Sequence, residues 1–390
     1  MIPYGRQDLS EQDIEAVCRV LKSDYLTQGP EVPLFEQVLG NLVKARHVVA
    51  VNSGTSALHI ACLALDVGPG DYVWTSPISF VASSNCALYC GASVDFVDVE
   101  PDTGNMSVAA LKARLEDAEV SGKLPKVVIP VHFAGQPCDM KEISELASRY
   151  GFRVIEDASH GLGARYFDEP VGSCRWSDMT VFSFHPVKMI TTGEGGAVST
   201  NQPALAEKLS QLRSHGITRD DSQFKALKND PWVYEQQSLG FNYRMTDLQA
   251  ALGRSQSASL PGFVSRRQVL AAAYQKAFTD SDVQVLTQKA ERSSSWHIFV
   301  IQVPEDCRRA MFDLLRESGI GVNVHYIPIY LQPFYQQLGF RSGYCPQAEL
   351  FYQQALTIPL YTSLSEGELQ QVADSVIQAL ETTSSSINSA

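Results

Sequence analysis

Over the first 215 residues, short apolar runs alternate with segments of helical periodicity, and this alternation leaves few architectures open. The runs are 47–51 (HVVAV), 72–76 (YVWTS), 94–99 (VDFVDV), 126–132 (KVVIPVH), 153–157 (RVIED), 180–185 (TVFSFH) and 196–200 (GAVST). Between them lie helical patterns such as DMKEISELASRY. There Asp139 is placed to cap, Glu142 follows three residues on, and Ile143, Leu146, Ala147 and Tyr150 share one face. Seven apolar strands separated by helices predict an α/β fold on a largely parallel sheet covered on both faces. Such sheets hold their ligands beyond the carboxyl ends of the strands. Chemistry is therefore expected in the turns that follow the strands.

A chain of 390 residues exceeds what one core usually serves, so two domains are expected. The stretch 255–261 (SQSASLP) is small, polar and ends in proline, which places a boundary near residue 255. Residues 1–255 then form the larger domain and 256–381 a smaller α+β domain. The latter is expected to hold a strand at 298–303, a helix near 308–318 and a second strand around 321–326. Its last helix opens on a Ser365–Glu368 capping box, with Leu369, Val372, Ala373 and Val376 on one face. The tail 382–390 (TTSSSINSA) has little to bury and is expected to be disordered.

Composition excludes several classes. The 31 Lys and Arg against 43 Asp and Glu give a net charge of −12, with the basic residues dispersed. Nucleic-acid binding needs a concentrated basic face, so that class is set aside. No run approaches the roughly 18 apolar residues of a membrane span, and the N-terminus has no apolar signal core. The eight cysteines show no CxxC pair and no metal-ligand spacing, and read as reduced thiols of a cytoplasmic protein. No metal site is expected.

The turns after three strands carry the candidate site. After HVVAV comes NSGTSAL, where Gly54 and Thr55 turn strand into helix; free N–H groups and hydroxyls there suit a phosphate, although an ordinary N-cap uses the same residues. After RVIE comes Asp157, a carboxylate at the edge of a buried sheet. After the TVFSFH run, Lys188 sits in VFSFHPVKMITTGEGGAVST, between two apolar strands and beside a glycine cluster. Pro186 restricts His185 to extended backbone. Together a phosphate cup, a carboxylate and an enclosed lysine point to pyridoxal 5'-phosphate (PLP). The lysine supplies the Schiff-base amine, the carboxylate pairs with the ring nitrogen, and the cup fixes the phosphate.

These motifs, with DYLTQGPEVPLFE, TSPISFVASSN, VHFAGQPCDM and GFNYRMTDLQAALG in the same order, make the chain resemble the DegT/DnrJ/EryC1/StrS family of sugar aminotransferases over nearly its whole length. The segments SPISFVA, His185 and RSHG (213–216) resemble most closely the C4 aminotransferases of pseudaminic acid biosynthesis. The resemblance implies fold type I, a seven-stranded sheet with a smaller C-terminal domain. It implies Lys188 as Schiff-base lysine and proton shuttle, Asp157 on the pyridine nitrogen, and Phe80 stacked on the ring. Gly54, Thr55 and Ser183 would hold the phosphate, joined by Asn242 of a second subunit, so that a homodimer shares its sites. Tyr4, Tyr25, Leu26, Thr27, His185, Asn323, His325 and Tyr326 would contact the sugar nucleotide. Met189 departs from the proline that close relatives often carry after the lysine, which bears on loop geometry and substrate choice.

The activity so implied moves an amino group from L-glutamate, through pyridoxamine phosphate, to C4 of a UDP-linked 2-acetamido-4-keto-6-deoxy hexose. The alternatives are an aminotransferase on another nucleotide sugar (C3, or TDP-linked), a dehydratase of this fold, and a non-catalytic sugar- or cofactor-binding regulator. Lys188 argues against the dehydratase, in which histidine replaces the lysine. The intact Lys188–Asp157 pair argues against the regulator.

Overall fold

The computed structural model describes residues 1–226 and 230–388. Two helices, α1 (Glu11–Leu21) and α2 (Glu31–Val43), lead into the alternation: β1 (His47–Val51), α3 (Gly54–Ala64), β2 (Tyr72–Thr75), α4 (Ala82–Tyr89), β3 (Ser93–Phe96), α5 (Val108–Ser121), β4 (Val127–Ile129), α6 (Met140–Tyr150) and β5 (Arg153–Asp157). Then follow β6 (Met179–Ser183), β7 (Gly196–Thr200), α7 (Pro203–Arg213) and α8 (Asp247–Ala277). The seven strands form one sheet in the order β1-β7-β6-β5-β4-β2-β3. Only β7 runs antiparallel to its neighbours, pairing with β1 on one side and β6 on the other. Apolar residues cover both faces: Ile129, Ile155 and Val181 pack with α3 and α4, whereas Val128 and Val154 pack with α5 and α6. Continuous apolar runs are what a sheet buried on both faces requires.

The remainder comprises β8 (Gln284–Val285), β9 (Phe299–Gln302), α9 (Glu305–Glu317), α10 (Pro333–Gln337), α11 (Pro346–Gln354), β10 (Ala355–Ile358) and α12 (Glu366–Asn388). Strands β8, β9 and β10 make a small antiparallel sheet. Its Phe299, Ile301, Leu356 and Ile358 pack with Met311 and Leu315 of α9 and with Val372, Ala373 and Val376 of α12. The Ser365–Glu368 capping box forms as expected.

Four local readings come out differently. The boundary expected near residue 255 lies inside α8, a 31-residue helix that carries Pro261 in its interior. The proline removes the N–H that would reach the carbonyl of Ser257, and its ring crowds that carbonyl. Burial of Leu260 among Phe182, Phe184 and Ala250 on one stretch, and of Leu270 and Tyr274 against Phe299 on the next, holds the helix through it. The expected tail is helical to Asn388; its final residues, 389–390, lie outside the described residues. The strand expected around 321–326 is reduced to isolated pairings of Ile320 with Ile2 and of Asn323 with Thr357. Asp139 does not cap α6 with its side chain; its carboxylate is taken by Lys289 and Arg292. No helix among the described residues is long and apolar enough to cross a membrane.

Gly196 pins the site end of the sheet. It pairs with Val51 on one side and Ser183 on the other. A Cβ there would stand 2.5 Å from the carbonyl oxygen of Ser53 and 2.7 Å from the nitrogen of Gly54. Those are backbone atoms, which cannot rotate away. Gly196→Ala is expected to destabilise the protein by about 1–3 kcal/mol, against little for Gly68→Ala, whose Cβ would meet nothing within 4 Å. Urea midpoints of the two variants measure the difference.

Candidate active site

The carboxyl ends of β1, β5 and β6 open onto one cavity of about 440 Å³, and the segments after them line it. At the first end, Ser53 caps α3, its Oγ accepting from the Ser56 N–H at 3.1 Å. Gly54 lets the end of β6 close in: a Cβ there would lie 3.0 Å from Cβ of Ser183 and 3.2 Å from its Oγ. Ser53, Gly54, Thr55 and Ser183 thus form a cup at the positive end of a helix, the arrangement that suits a phosphate.

At the second end, Asp157 is buried and held on both oxygens. Oδ2 accepts from Ser83 Oγ at 2.6 Å, and Oδ1 from the Ser159 N–H and Oγ at 3.1 and 2.6 Å. Ser83 Oγ in turn meets Ser79 Oγ at 2.7 Å. The carboxylate is therefore fixed in direction before any ligand arrives.

Lys188 stands in the turn after β6. The Phe184 N–H donates to the Gly195 carbonyl, and the Phe184 carbonyl accepts from the Thr192 N–H and the Thr191 hydroxyl. The Lys188 side chain makes no hydrogen bond or ion pair among the described residues. Burial lowers its pKa to about 8, with the charge of Asp157 pulling the other way. An amine with that value is free about a tenth of the time at pH 7, far more often than an ordinary lysine, as a nucleophilic lysine requires.

The opposite wall comes from farther along the chain. His325 donates to or accepts from Thr357 Oγ1 at 2.8 Å, and burial beside Lys188 lowers its pKa to about 4. Tyr326 meets Nε2 of His160 at 3.3 Å. The His160 ring lies 4.4 Å from that of His297, and Nδ1 of each is buried without a hydrogen-bond partner among the described residues. Burial drives both rings well below the usual imidazole value, and Lys188 adds to it. These imidazoles are neutral polar groups, so the amine is not crowded by further cations.

Of the residues expected at the site, Tyr4, Gly54, Thr55, Phe80, Asp157, Ser183, His185, Lys188, His325 and Tyr326 line the cavity. Phe80 is 61% exposed, so its ring is not spent on the core. Tyr25, Leu26, Thr27, Asn242 and Asn323 do not line it. Tyr25 and Leu26 are exposed, and the Leu26 carbonyl accepts from the Asp247 N–H at the start of α8. Thr27 pairs with Thr246, and Asn242 with Ser214. Asn323 is spent on the backbone: it exchanges N–H and carbonyl bonds with Thr357, and its Oδ1 accepts from Val324 N–H. Sequence reasoning passed over Ser83, Ser159, His160 and His297. Ser159 and His160 follow within three residues of Asp157; nothing local marks Ser83 or His297.

A cupped helix start, a fixed carboxylate and an unpaired buried lysine at three adjoining strand ends define a PLP-dependent transferase site. The residues fit the cofactor: the cup would take its phosphate, Asp157 its ring nitrogen and Lys188 its aldehyde. The chain belongs to the DegT/DnrJ/EryC1/StrS aminotransferase family, whose model matches residues 7–377. It is 37% identical to the UDP-4-amino-4,6-dideoxy-N-acetyl-beta-L-altrosamine transaminase of Campylobacter jejuni strain 81-176, over 98% of each chain. It is 36% identical to the spore coat polysaccharide biosynthesis protein SpsC of Bacillus subtilis, over 96% of each. Among solved structures, Helicobacter pylori PseC, an aminotransferase involved in the biosynthesis of pseudoaminic acid, matches with a TM-score of 0.89 at 33% identity, over 98% of this chain and 99% of that one. The PLP form of the putative sugar aminotransferase Spr1654 from Streptococcus pneumoniae matches with a TM-score of 0.89 at 29% identity, over 98% and 99%. The protein is a PLP-dependent sugar aminotransferase.

The lowered pKa of Lys188 has a consequence for stability. The unfolded chain, with an ordinary lysine near 10.5, binds more protons than the folded one between about pH 8 and 10.5. Stability of the cofactor-free protein therefore gains from this group as pH rises through that window. Lys188→Met is expected to stabilise the cofactor-free protein at pH 7, with the advantage narrowing between pH 8 and 10.5. Urea unfolding across that range reads it.

Proposed function

We propose that the protein transfers the amino group of L-glutamate to C4 of a UDP-linked 2-acetamido-4-keto-6-deoxy hexose, as in pseudaminic acid-type nucleotide-sugar biosynthesis. The observation that carries the transfer is the unpaired, desolvated Lys188 amine in the same cavity as the fixed Asp157 carboxylate. The names of the C. jejuni and H. pylori relatives support the sugar.

Bound PLP supplies an aldehyde that condenses with amines and a ring that takes up the electron pair left when a proton departs. Asp157 would keep the ring nitrogen protonated, and Ser83 and Ser159 keep Asp157 aimed. With the cofactor bound, Lys188 would move the proton at the reacting carbons, general acid–base work by a group already in reach. The Ser53–Thr55 cup and Ser183 would anchor the phosphate, and Phe80, on the cavity wall, would stack on the ring. Tyr4, His185, His325 and Tyr326 line the space left for the sugar. Neutral imidazoles from His160 and His297 offer hydrogen bonds there without adding charge.

The exposed segment Tyr25, Leu26, Thr27 and Asn242 serve, in this reading, the site of a second copy, giving a homodimer with shared sites. The domains meet along α8, with the larger one ending where that helix passes from one core to the other. The match to SpsC keeps a second reading open, an amino transfer to another nucleotide-linked keto sugar, C3 or TDP-linked.

Purified enzyme is expected to show a yellow absorption band that L-glutamate bleaches, and Lys188→Ala is expected to lose band and turnover. Persistence of either in Lys188→Ala would sink the mechanism. Offering UDP- and TDP-linked 4-keto-6-deoxy sugars with glutamate, and identifying the amino sugar by NMR, decides the substrate. No product from any UDP-linked 2-acetamido sugar would reject that assignment and leave the aminotransferase standing.

A further inference from the structure

Helices α3 and α4 both begin on the main cavity, with Gly54 and Thr55 of one and Ala82 and Ser83 of the other in its wall. Farther along, outside that wall, they share a cluster of thiols. α3 carries His59 and Cys62, three residues apart and so on one face; α4 carries Cys86, and Cys90 follows one turn later in helical backbone. The helices pack with these faces together. The rings of His59 and Tyr89 lie 5.4 Å apart, edge to face. Cys62 and Cys86 are fully buried in one core cluster, which the partly exposed Cys90 joins at its rim. Cys62 is within hydrogen-bonding reach of both Cys86 and Cys90, and Cys90 is within reach of the His59 ring. Nδ1 of that ring meets the Tyr243 hydroxyl at 3.1 Å, which leaves Nε2 for Cys90.

The three thiols are not equivalent. Cys86 donates to the Ser83 carbonyl at 3.3 Å. One turn from Cys90 on the same helix, it points the same way and cannot close a disulfide with it. Cys62 and Cys90 approach from different helices, as a disulfide requires. Hydrogen bonding to Cys62, and then the His59 ring, hold the Cys90 thiol below the usual thiol value against the burial that opposes them. Cys86, Cys90 and burial push Cys62 well above it. One member of the pair is thus the nucleophilic thiolate, and the other keeps its proton. Exposure follows the same division, for solvent reaches Cys90 and not Cys62. Among the described residues, no group of three such side chains is placed to hold a metal ion.

We propose that Cys90 is a hydroperoxide-sensitive thiol activated by His59, and that Cys62 closes onto it in a reversible disulfide between α3 and α4. The Cys90 thiolate attacks one oxygen of the hydroperoxide. The O–O bond breaks, an S–OH group forms, and the leaving oxygen takes up the proton that Cys90 had given up. The Cys62 sulfur then attacks the Cys90 sulfur; the S–S bond forms, the S–O bond breaks, and hydroxide leaves with the Cys62 proton as water. Two thiols lose two electrons and the hydroperoxide gains them. The bond would tie together the helix that opens on the phosphate cup and the helix that carries Ser83, behind the site and not in it. The inference is independent of the sugar the enzyme takes.

The holoenzyme, treated with hydrogen peroxide, tests this directly. Its mass is expected to fall by two hydrogens, peptide mapping to link Cys62 to Cys90, and dithiothreitol to reverse both. No link, or a link between other cysteines, overturns the proposal. Alkylation by iodoacetamide, followed peptide by peptide, is expected to have its pH midpoint at Cys90 at least about one unit below that at the exposed Cys18. A midpoint at or above that of Cys18 overturns the proposal. The titratable groups facing Cys90 in this comparison are His59 and Cys62 on α3, Cys86 and Tyr89 on α4, and Tyr243. His59→Phe keeps a ring among Tyr89, Phe241 and Tyr243 but no nitrogen, and is expected to raise the Cys90 midpoint; an unchanged midpoint overturns the proposal. Cys62→Ser is expected to stop the reaction at the S–OH group on Cys90, where dimedone traps it. Should His59→Phe fail to fold, the parent's own midpoints and link still decide.

Discussion

The structure depends on one backbone contact, that of Gly196 against Ser53 and Gly54. Because β7 runs antiparallel between β1 and β6, its first residue pairs with the last residue of each. The carboxyl ends of two strands far apart in sequence are thereby drawn to a common point. The lysine turn must leave β6 and return into β7 over that same point. The phosphate cup, the lysine and, through the parallel neighbour β5, the carboxylate of Asp157 are placed together by a single register. A side chain at position 196 would push the strand off the start of α3, and the three parts would no longer share a cavity.

Burial then does the chemical work. An amine in water holds its proton to high pH; one buried in the same cavity wall as the imidazoles of His160, His297 and His325 gives it up sooner. The same desolvation acts on His160, His297 and His325, and each neutral ring removes a competing cation from the lysine's surroundings. Asp157, in the same enclosure, is held in direction by three donors from Ser83 and Ser159. The donors within reach of a side chain decide whether it is fixed, as Asp157 is, or left without a partner, as Lys188 is.

What was legible in the sequence shares a physical character. Gly54, Asp157 and Lys188 sit at strand ends, and strands announce themselves through local apolar runs; the fold rule then says where their ligands go. The Ser365–Glu368 box was legible for the same reason, since both partners lie within one turn. Ser83 and Asp157 are 74 residues apart, and His160 and His297 meet only because the later part of the chain packs onto the earlier. No periodicity encodes such meetings. Asp139 shows how local logic is overruled: a cap contributes about 1 kcal/mol, and a buried guanidinium from Arg292 makes a stronger claim on the carboxylate. Pro261 shows it again, for one missing bond in α8 weighs less than the apolar contacts made on either side of it.

Charge sets what one chain can do alone. The protein carries −12, yet PLP and the proposed co-substrates, glutamate and a nucleotide-linked sugar, are all anions. Among the described residues lining the main cavity, Lys188 is the one permanent basic side chain, and burial holds it toward neutrality. Burial disfavours the charged forms of His160, His297 and His325 beside it. The start of α3 can satisfy a phosphate through its N–H groups, but it cannot serve three anions. A single chain therefore builds the reacting centre and its shape while leaving the charge of the remoter groups unmet. In the proposed homodimer, a second copy would have to bring the cations that this wall lacks, so that the negative chain would not have to gather them around the ammonium form of Lys188.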